Sequence, residues 1–96
     1  MKTEIQKLLN SICTLLAETN EKVWQERLKY FHQRLDIDYD TTLSEIKSVF
    51  GGAGSFNDLI LQKNGQMLRQ ENIALNDLQD QLYDALKKEM AARRPQ

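Results

Sequence analysis

The segment Gly51-Gly52-Ala53-Gly54-Ser55-Phe56-Asn57-Asp58-Leu59 constrains the fold most, because three of the chain's four glycines fall inside it. Glycine loses more backbone freedom on folding than any other residue. A cluster of them therefore belongs where the chain must take positive φ or approach something closely. Leu43, Ile46, Val49 and Phe50 lead up to it at helical spacing. That spacing predicts a short helix from about Thr42 to Phe50, with Gly51 as its left-handed C′ residue. Beyond the glycines, Ser55 suits an N-cap, and Asp58 stands three residues on as a weaker capping-box acid. The segment reads as helix stop, swivel, helix start.

The same residues support a second reading. Backbone N–H groups from Gly52 to Phe56 would form an anion nest at a helix N-terminus. The candidate binding residues are then Gly52, Gly54, Ser55, Phe56, Asn57 and Asp58. Known phosphate motifs fit poorly. A dinucleotide fingerprint would need glycine where Asn57 stands and a strand before the loop, and a P-loop would need lysine directly after Gly54. Asp58 would also place a carboxylate beside a bound anion. One observation separates the readings. Asn57 and Asp58 either satisfy backbone groups, making the loop architecture, or converge on an open pocket.

The flanking chain is helical. Ile5, Leu8, Leu9, Ile12, Leu15 and Leu16 step by three and four from Thr3 to Glu18, with Thr3 as N-cap. Thr19-Asn20 breaks that helix, Asn20 serving as a C′ residue or as the next N-cap. Val23, Trp24, Leu28, Phe31 and Leu35 mark a second helix, and so short a break implies an antiparallel pair. Asp36-Ile37-Asp38-Tyr39-Asp40 ends it. The alternating aspartates resemble the start of a calcium loop, but Thr41 stands where glycine is required and Lys47 where glutamate is. A solvated turn is the better reading, with Asp40 or Thr42 as N-cap and Thr42–Glu45 as a capping box.

Residues 59–68 carry competing signals. Phe56 to Gln62 suits one or two helical turns, ending near Lys63 with Gly65 as C′ residue. Asn64-Gly65 between apolar runs is also the strongest hairpin signal in the chain. The helix is favoured here, since an isolated hairpin is marginal unless it packs on another element. Asn72 is the expected N-cap of a last helix with Leu75, Leu78, Leu82 and Leu86 on one face, Ile73 and Met90 near its ends and Tyr83 flanking. Asp77, Gln79, Asp80, Lys87 and Lys88 cover its other faces. The expected fold is mainly α: a compact four- to five-helix domain, residues 1–96, with a central glycine-rich loop and either a short helix or a β-hairpin around Asn64-Gly65.

Composition narrows the function. Ninety-six residues suit one small domain. With 41% hydrophobic and 28% charged residues and a net charge of −1, the chain is ordinary globular material, with no basic field to hold a nucleic-acid backbone. No apolar run approaches the ~18 residues of a membrane span. The N-terminus is charged from Lys2 and lacks a signal-peptide pattern. The one cysteine, Cys13, cannot form an internal disulfide and reads as a buried small hydrophobe. A cytoplasmic protein is the expectation.

Catalytic constellations are wanting. His32 is the one histidine and reads as a helix-edge residue with no sequence-paired nucleophile. One histidine and one cysteine make no zinc site of the usual kind. No cofactor, no metal and no enzymatic activity are expected.

Gly51, Gly52, Gly54, Ser55, Phe56, Asn57, Asp58 and Leu59, followed by Asn64-Gly65 and Glu71-Asn72, resemble a small bacterial domain family of unknown function. The resemblance covers about Leu43 to Leu86, leaving out most of the first two helices. Ala53 departs from the larger apolar residue associated with that position. The resemblance implies no activity. The expected function is a cytoplasmic protein-interaction module, an accessory or immunity-like protein acting as a monomer or weak homodimer on another protein. Small-ligand or anion binding at Gly51–Asp58 is the alternative.

Overall fold

The computed structural model describes residues 1–51 and 54–94. In chain order it contains α1 (Lys2–Glu18), α2 (Lys22–Arg34), α3 (Tyr39–Ser48), a 3₁₀ turn (Phe56–Asp58), β1 (Gln62–Lys63), β2 (Gln66–Met67) and α4 (Arg69–Ala92). The fold is mainly α, with four helices and a two-stranded antiparallel hairpin among the described residues.

In α1 the expected stripe is buried at Ile5, Leu8, Leu9, Ile12 and Leu16. The helix begins before Thr3, with Met1 at the N-cap position, so the Thr3 hydroxyl caps nothing. Its end is a Schellman motif. Asn20 takes φ +64°, Glu21 N–H donates to Leu16 C=O at 2.9 Å, and Asn20 N–H donates to Ala17 C=O at 3.2 Å. This turn lays α2 back along α1. Trp24, Leu28, Phe31 and Leu35 follow at steps of four and three, and that register puts Val23 off the stripe, 69% exposed.

The start of α3 differs from expectation. Asp38 is the N-cap, its carboxylate accepting from Thr41 N–H at 3.4 Å. Asp40 and Thr42 lie inside the helix, so the Thr42–Glu45 capping box does not form. Thr42 is buried instead. Its hydroxyl lies 2.6 Å from Asp38 C=O and 3.2 Å from Arg34 C=O, tying the end of α2 to α3. At its other end α3 tightens, Val49 and Phe50 N–H donating three residues back. Gly51, expected at C′, takes φ +89° one position beyond C′, because the helix ends at Ser48 with Val49 as its C-cap.

The favoured short helix over residues 56–63 does not form. A single 3₁₀ turn is followed by a hairpin whose central residues, Asn64 (φ +53°) and Gly65 (φ +78°), make the I′ pattern. The hairpin is fixed by α4. Asn72, expected as the N-cap, lies inside that helix and is buried. Its side-chain oxygen accepts from Leu61 N–H at 2.8 Å, and its amide nitrogen donates to the carbonyls of Leu61 (3.0 Å) and Leu68 (2.8 Å). Asn72 thus supplies Leu61 with the bonds a neighbouring strand would give.

One hydrophobic cluster joins all four helices, Phe56 and Leu61. Helix α1 packs on α2 and α4, and α3 packs on α4 and α2. Lys2 meets Asp36 at 2.8 Å, Arg93 pairs with Asp40, and Tyr39 hydrogen-bonds Glu89. The start of α1 and the end of α4 therefore share one pole of a body 50 × 22 × 21 Å. The α1–α2 turn and the hairpin share the other pole, and the glycine loop lies at the waist against the middle of α4.

Candidate functional site

At the waist, Phe56 is fully buried, its ring 5.0 Å from Trp24 and 5.6 Å edge-on from Phe50. Its backbone is held as firmly. Phe56 N–H donates to Val49 C=O at 2.9 Å, and its carbonyl accepts from the buried Gln79 side chain at 2.7 Å. Asn57 accepts from Gly51 N–H at 2.9 Å, and the Asp58 carboxylate accepts from Gly54 N–H at 3.0 Å. Ser55 occupies the cap position of the 3₁₀ turn without a side-chain cap bond, and its hydroxyl is buried with no partner among the described residues. Asp58 thus completes a bond to Gly54 and not a box with Ser55.

Of the candidate binding residues, Gly54, Phe56, Asn57 and Asp58 are engaged in holding the loop together. Gly52 lies outside the described residues. The N–H groups of Gly51 and Gly54 already face a carboxamide and a carboxylate, and an incoming anion would have to displace that negative charge. A shallow cleft of about 260 Å³ lies beside the loop, lined by Phe50, Gly51, Asn57, Gln79, Tyr83 and Lys87 together with Asp80 and Asp84. Asn57 borders it and Asp58 does not, so the two do not converge on it.

A larger opening lies at the hairpin pole, where reading the sequence placed no site. A groove of about 1120 Å³ runs between the α1–α2 turn (residues 18–21) and the β1 flank of the hairpin (residues 60–64), with Leu68 and Glu71 at its end. Glu18, Glu21 and Glu71 border it against one cation, Lys63. Ile60, which lines it, and Met67, across the hairpin on β2, are 49% and 65% exposed. Leu61 points inward, so strand alternation puts Ile60 and Gln62 on the opposite face, and Met67, paired with Gln62, joins them. The Asn64-Gly65 hairpin signal was the clue to this groove, since a helix there would leave no strand edge.

The remaining polar clusters are structural. Burial raises the Tyr39 hydroxyl above its ordinary value, and its hydrogen bond to Glu89 adds to this. Arg93, with two bonds to Asp40 at 2.5 and 3.0 Å, holds that carboxyl below the ordinary carboxylate value. Lys2 does the same for Asp36. Cys13 is half-buried, and burial pushes its thiol up, away from the thiolate that nucleophilic chemistry needs. Among the described residues no group of three or more His, Cys, Asp or Glu is placed to hold a metal, and no helix is long and apolar enough to cross a membrane.

No curated protein and no solved structure matches the chain significantly. Residues 17–69 match a domain family whose function is unknown. The match begins at Ala17, and so takes in α2, which the resemblance drawn from the glycine segment left out. It ends at the first residue of α4, with residues 51–59 inside it. From α2 through the waist loop to the hairpin, the chain belongs to the family described as domain of unknown function DUF6966.

Proposed function

We propose that this chain is a protein-interaction module, a cytoplasmic accessory or immunity-like protein without catalytic activity of its own, acting as a monomer or weak dimer. The observation that carries this reading is the exposure of Ile60 and Met67 on the hairpin that forms one wall of an open groove. Apolar side chains grouped beside a polar rim mark interaction surfaces more often than isolated ones do. The waist loop supports binding less well, because Asn57, Asp58 and the Phe56 carbonyl are already bonded within the domain.

The test is capture of partners from native lysate, read by quantitative mass spectrometry, with three proteins of verified fold. These are the wild type, an Ile60→Asp/Met67→Asp variant and an Asn57→Ala/Asp58→Ala variant. A stoichiometric partner lost only by the hairpin variant is the expected result. Loss with the loop variant alone would move the interface to the waist. No partner for any of the three would argue against an interaction module and in favour of a small ligand.

A further inference from the structure

The hairpin has a free edge, and its register identifies the exposed groups. Lys63 and Gln66 close the two-residue turn, and Leu68 N–H donates to Leu61 C=O at 3.0 Å. Hydrogen-bonded and non-hydrogen-bonded pairs alternate along an antiparallel ladder. The Gln62–Met67 pair between them is therefore non-hydrogen-bonded, and the Gln62 N–H and C=O point away from β2. That side of β1 is the flank lining the groove. Among the described residues nothing pairs with these groups. Such an edge is a template for another strand unless something covers it.

The charges around the groove specify what would cover it. The wall facing β1 carries Glu18 and Glu21, Glu71 stands at the end, and Lys63 is the one opposing cation. The last turn of α1 holds no basic residue, and neither does that of α4 apart from Arg93 at its C-cap, whereas α2 ends with His32 and Arg34 and α3 with Lys47. A carboxylate at a helix C-terminus adds to the negative end of the dipole and is locally unfavourable. The groove is thus negative on one wall, apolar at Ile60, and lined by free strand backbone on the other wall. Its volume exceeds the ~300–1,000 Å³ of small-ligand pockets.

We infer that the outer edge of β1 takes an extended, basic segment of a partner protein as a third strand, seated between β1 and the Glu18–Glu21 turn. This rests on the interaction-module reading of the hairpin pole and gives its partner a chemistry. Backbone bonds to Gln62 supply the pairing, as in other strand-addition complexes. Alternate side chains divide the work, apolar ones packing on Ile60 and lysines or arginines meeting Glu18, Glu21 and Glu71. The glutamates also disfavour acidic segments, so the same residues provide specificity.

The test uses the full chain and a blocked hexapeptide of alternating lysine and valine. An alternating glutamate–valine peptide serves as one control, and a lysine–valine peptide with N-methylated backbone as the other. Fluorescence anisotropy reads affinity and amide chemical shifts read location. The expected result is saturable binding of the lysine–valine peptide alone, with the largest shifts at residues 60–63. Binding should weaken roughly fivefold in a Glu18→Gln/Glu21→Gln variant, given the modest worth of each exposed ion pair, and weaken further with salt. Equal binding of the N-methylated peptide, shifts centred elsewhere, or no binding at millimolar peptide would overturn the proposal. Pairing of two copies through β1, seen as a concentration-dependent dimer by light scattering with shifts at the same residues, would also overturn it. A lysate partner lost by the hairpin variant alongside a failed peptide would leave the interaction module standing and remove only the basic strand.

Discussion

Two buried amides on one face of α4 hold two connecting segments, with different results. Gln79 donates to Phe56 C=O at the waist, and Asn72, about two turns earlier, grips both backbone groups of Leu61 at the hairpin base. At the waist the grip is completed by a buried aromatic ring and by Asn57 and Asp58, which accept from the N–H groups of Gly51 and Gly54. At the hairpin only the base is held. Residues 62–67 are exposed, and the next outward-facing pair has no partner. A glycine-rich loop invites the idea of a binding cradle, yet here it is the closed region. The region built on an ordinary Asn-Gly turn is the open one.

The most direct way to break this comparison is to remove the waist's anchor. Phe56→Ala should cost about 3–5 kcal/mol, the usual range for a buried phenylalanine. In a domain of this size that lowers the melting temperature by roughly 4–8 °C per kcal/mol. Met67→Ala, at the exposed hairpin, should stay within about 0.5 kcal/mol. Urea denaturation of both variants reads the contrast, and comparable losses would mean that the hairpin is as much a part of the core as the waist.

Next in size are the two amides. Asn72→Ala strands the buried N–H of Leu61 and should cost about 1–3 kcal/mol. Gln79→Ala leaves the Phe56 carbonyl only the longer 3.3 Å bond from Leu59 N–H and should cost about 1 kcal/mol. Hydrogen exchange sharpens the difference between them. Asn72→Ala should speed exchange at Leu61 and Leu68 while leaving the Phe56 amide protected, and Gln79→Ala should act on the waist alone. A variant that loosened both segments equally would show one cooperative unit. An effect close to that of Gln79→Ala belongs to Asn57→Ala, about 0.5–1.5 kcal/mol for one hydrogen bond on an exposed loop, read by thermal melting.

These side chains also explain which parts of the fold were legible in the sequence. The helices were, because burial at steps of three and four leaves a pattern in Ile5 to Leu16 that needs no tertiary knowledge. On α4 the expected face of Leu75, Leu78, Leu82 and Leu86 does pack on the core, Leu78 only partly buried, but the buried line also takes in Asn72, Gln79 and Ala85. That line has the same regular spacing, but two of its members are polar. Polar residues at core spacing look like surface until the backbone groups they serve, eleven and twenty-three residues away, are in place. The same absence hid the hairpin. Its turn signal was plain, but a two-stranded ribbon is stable only against a partner, and that partner was the residue read as a helix cap. Of the candidate site, the waist residues were legible as a group with their bonding undecided. Of the groove, the Asn64-Gly65 signal pointed to one wall alone, since the groove itself exists only between two segments far apart in the chain.

The smallest expected effects lie at the opposite pole, and they test whether the hairpin and waist are independent of it. Asp36 and Asp40 have folded-state values below the ordinary carboxylate value, so the native state releases their protons more readily than the unfolded chain does. Their pairs with Lys2 and Arg93 contribute fully above about pH 4. That contribution is lost as pH falls through the lowered folded values. Tyr39 is shifted the other way, its neutral form favoured by burial and by Glu89. Its contribution is complete below tyrosine's ordinary value near 10 and declines as pH rises beyond it. Melting curves across pH should therefore show the gap between wild type and Asp40→Asn closing on the acid side, from about pH 5 toward 2. The gap between wild type and Tyr39→Phe should close on the alkaline side, above about pH 10. The aspartates are solvent-facing and Tyr39 is only partly buried, so both gaps should be small, and the aspartate's should shrink further in high salt. Neither variant should alter exchange at Leu61 or Phe56 at neutral pH. If Asp40→Asn released the Leu61 amide, the two poles would be coupled through α1 and α4, and the hairpin's openness would be a property of the whole bundle instead of its local anchoring by Asn72.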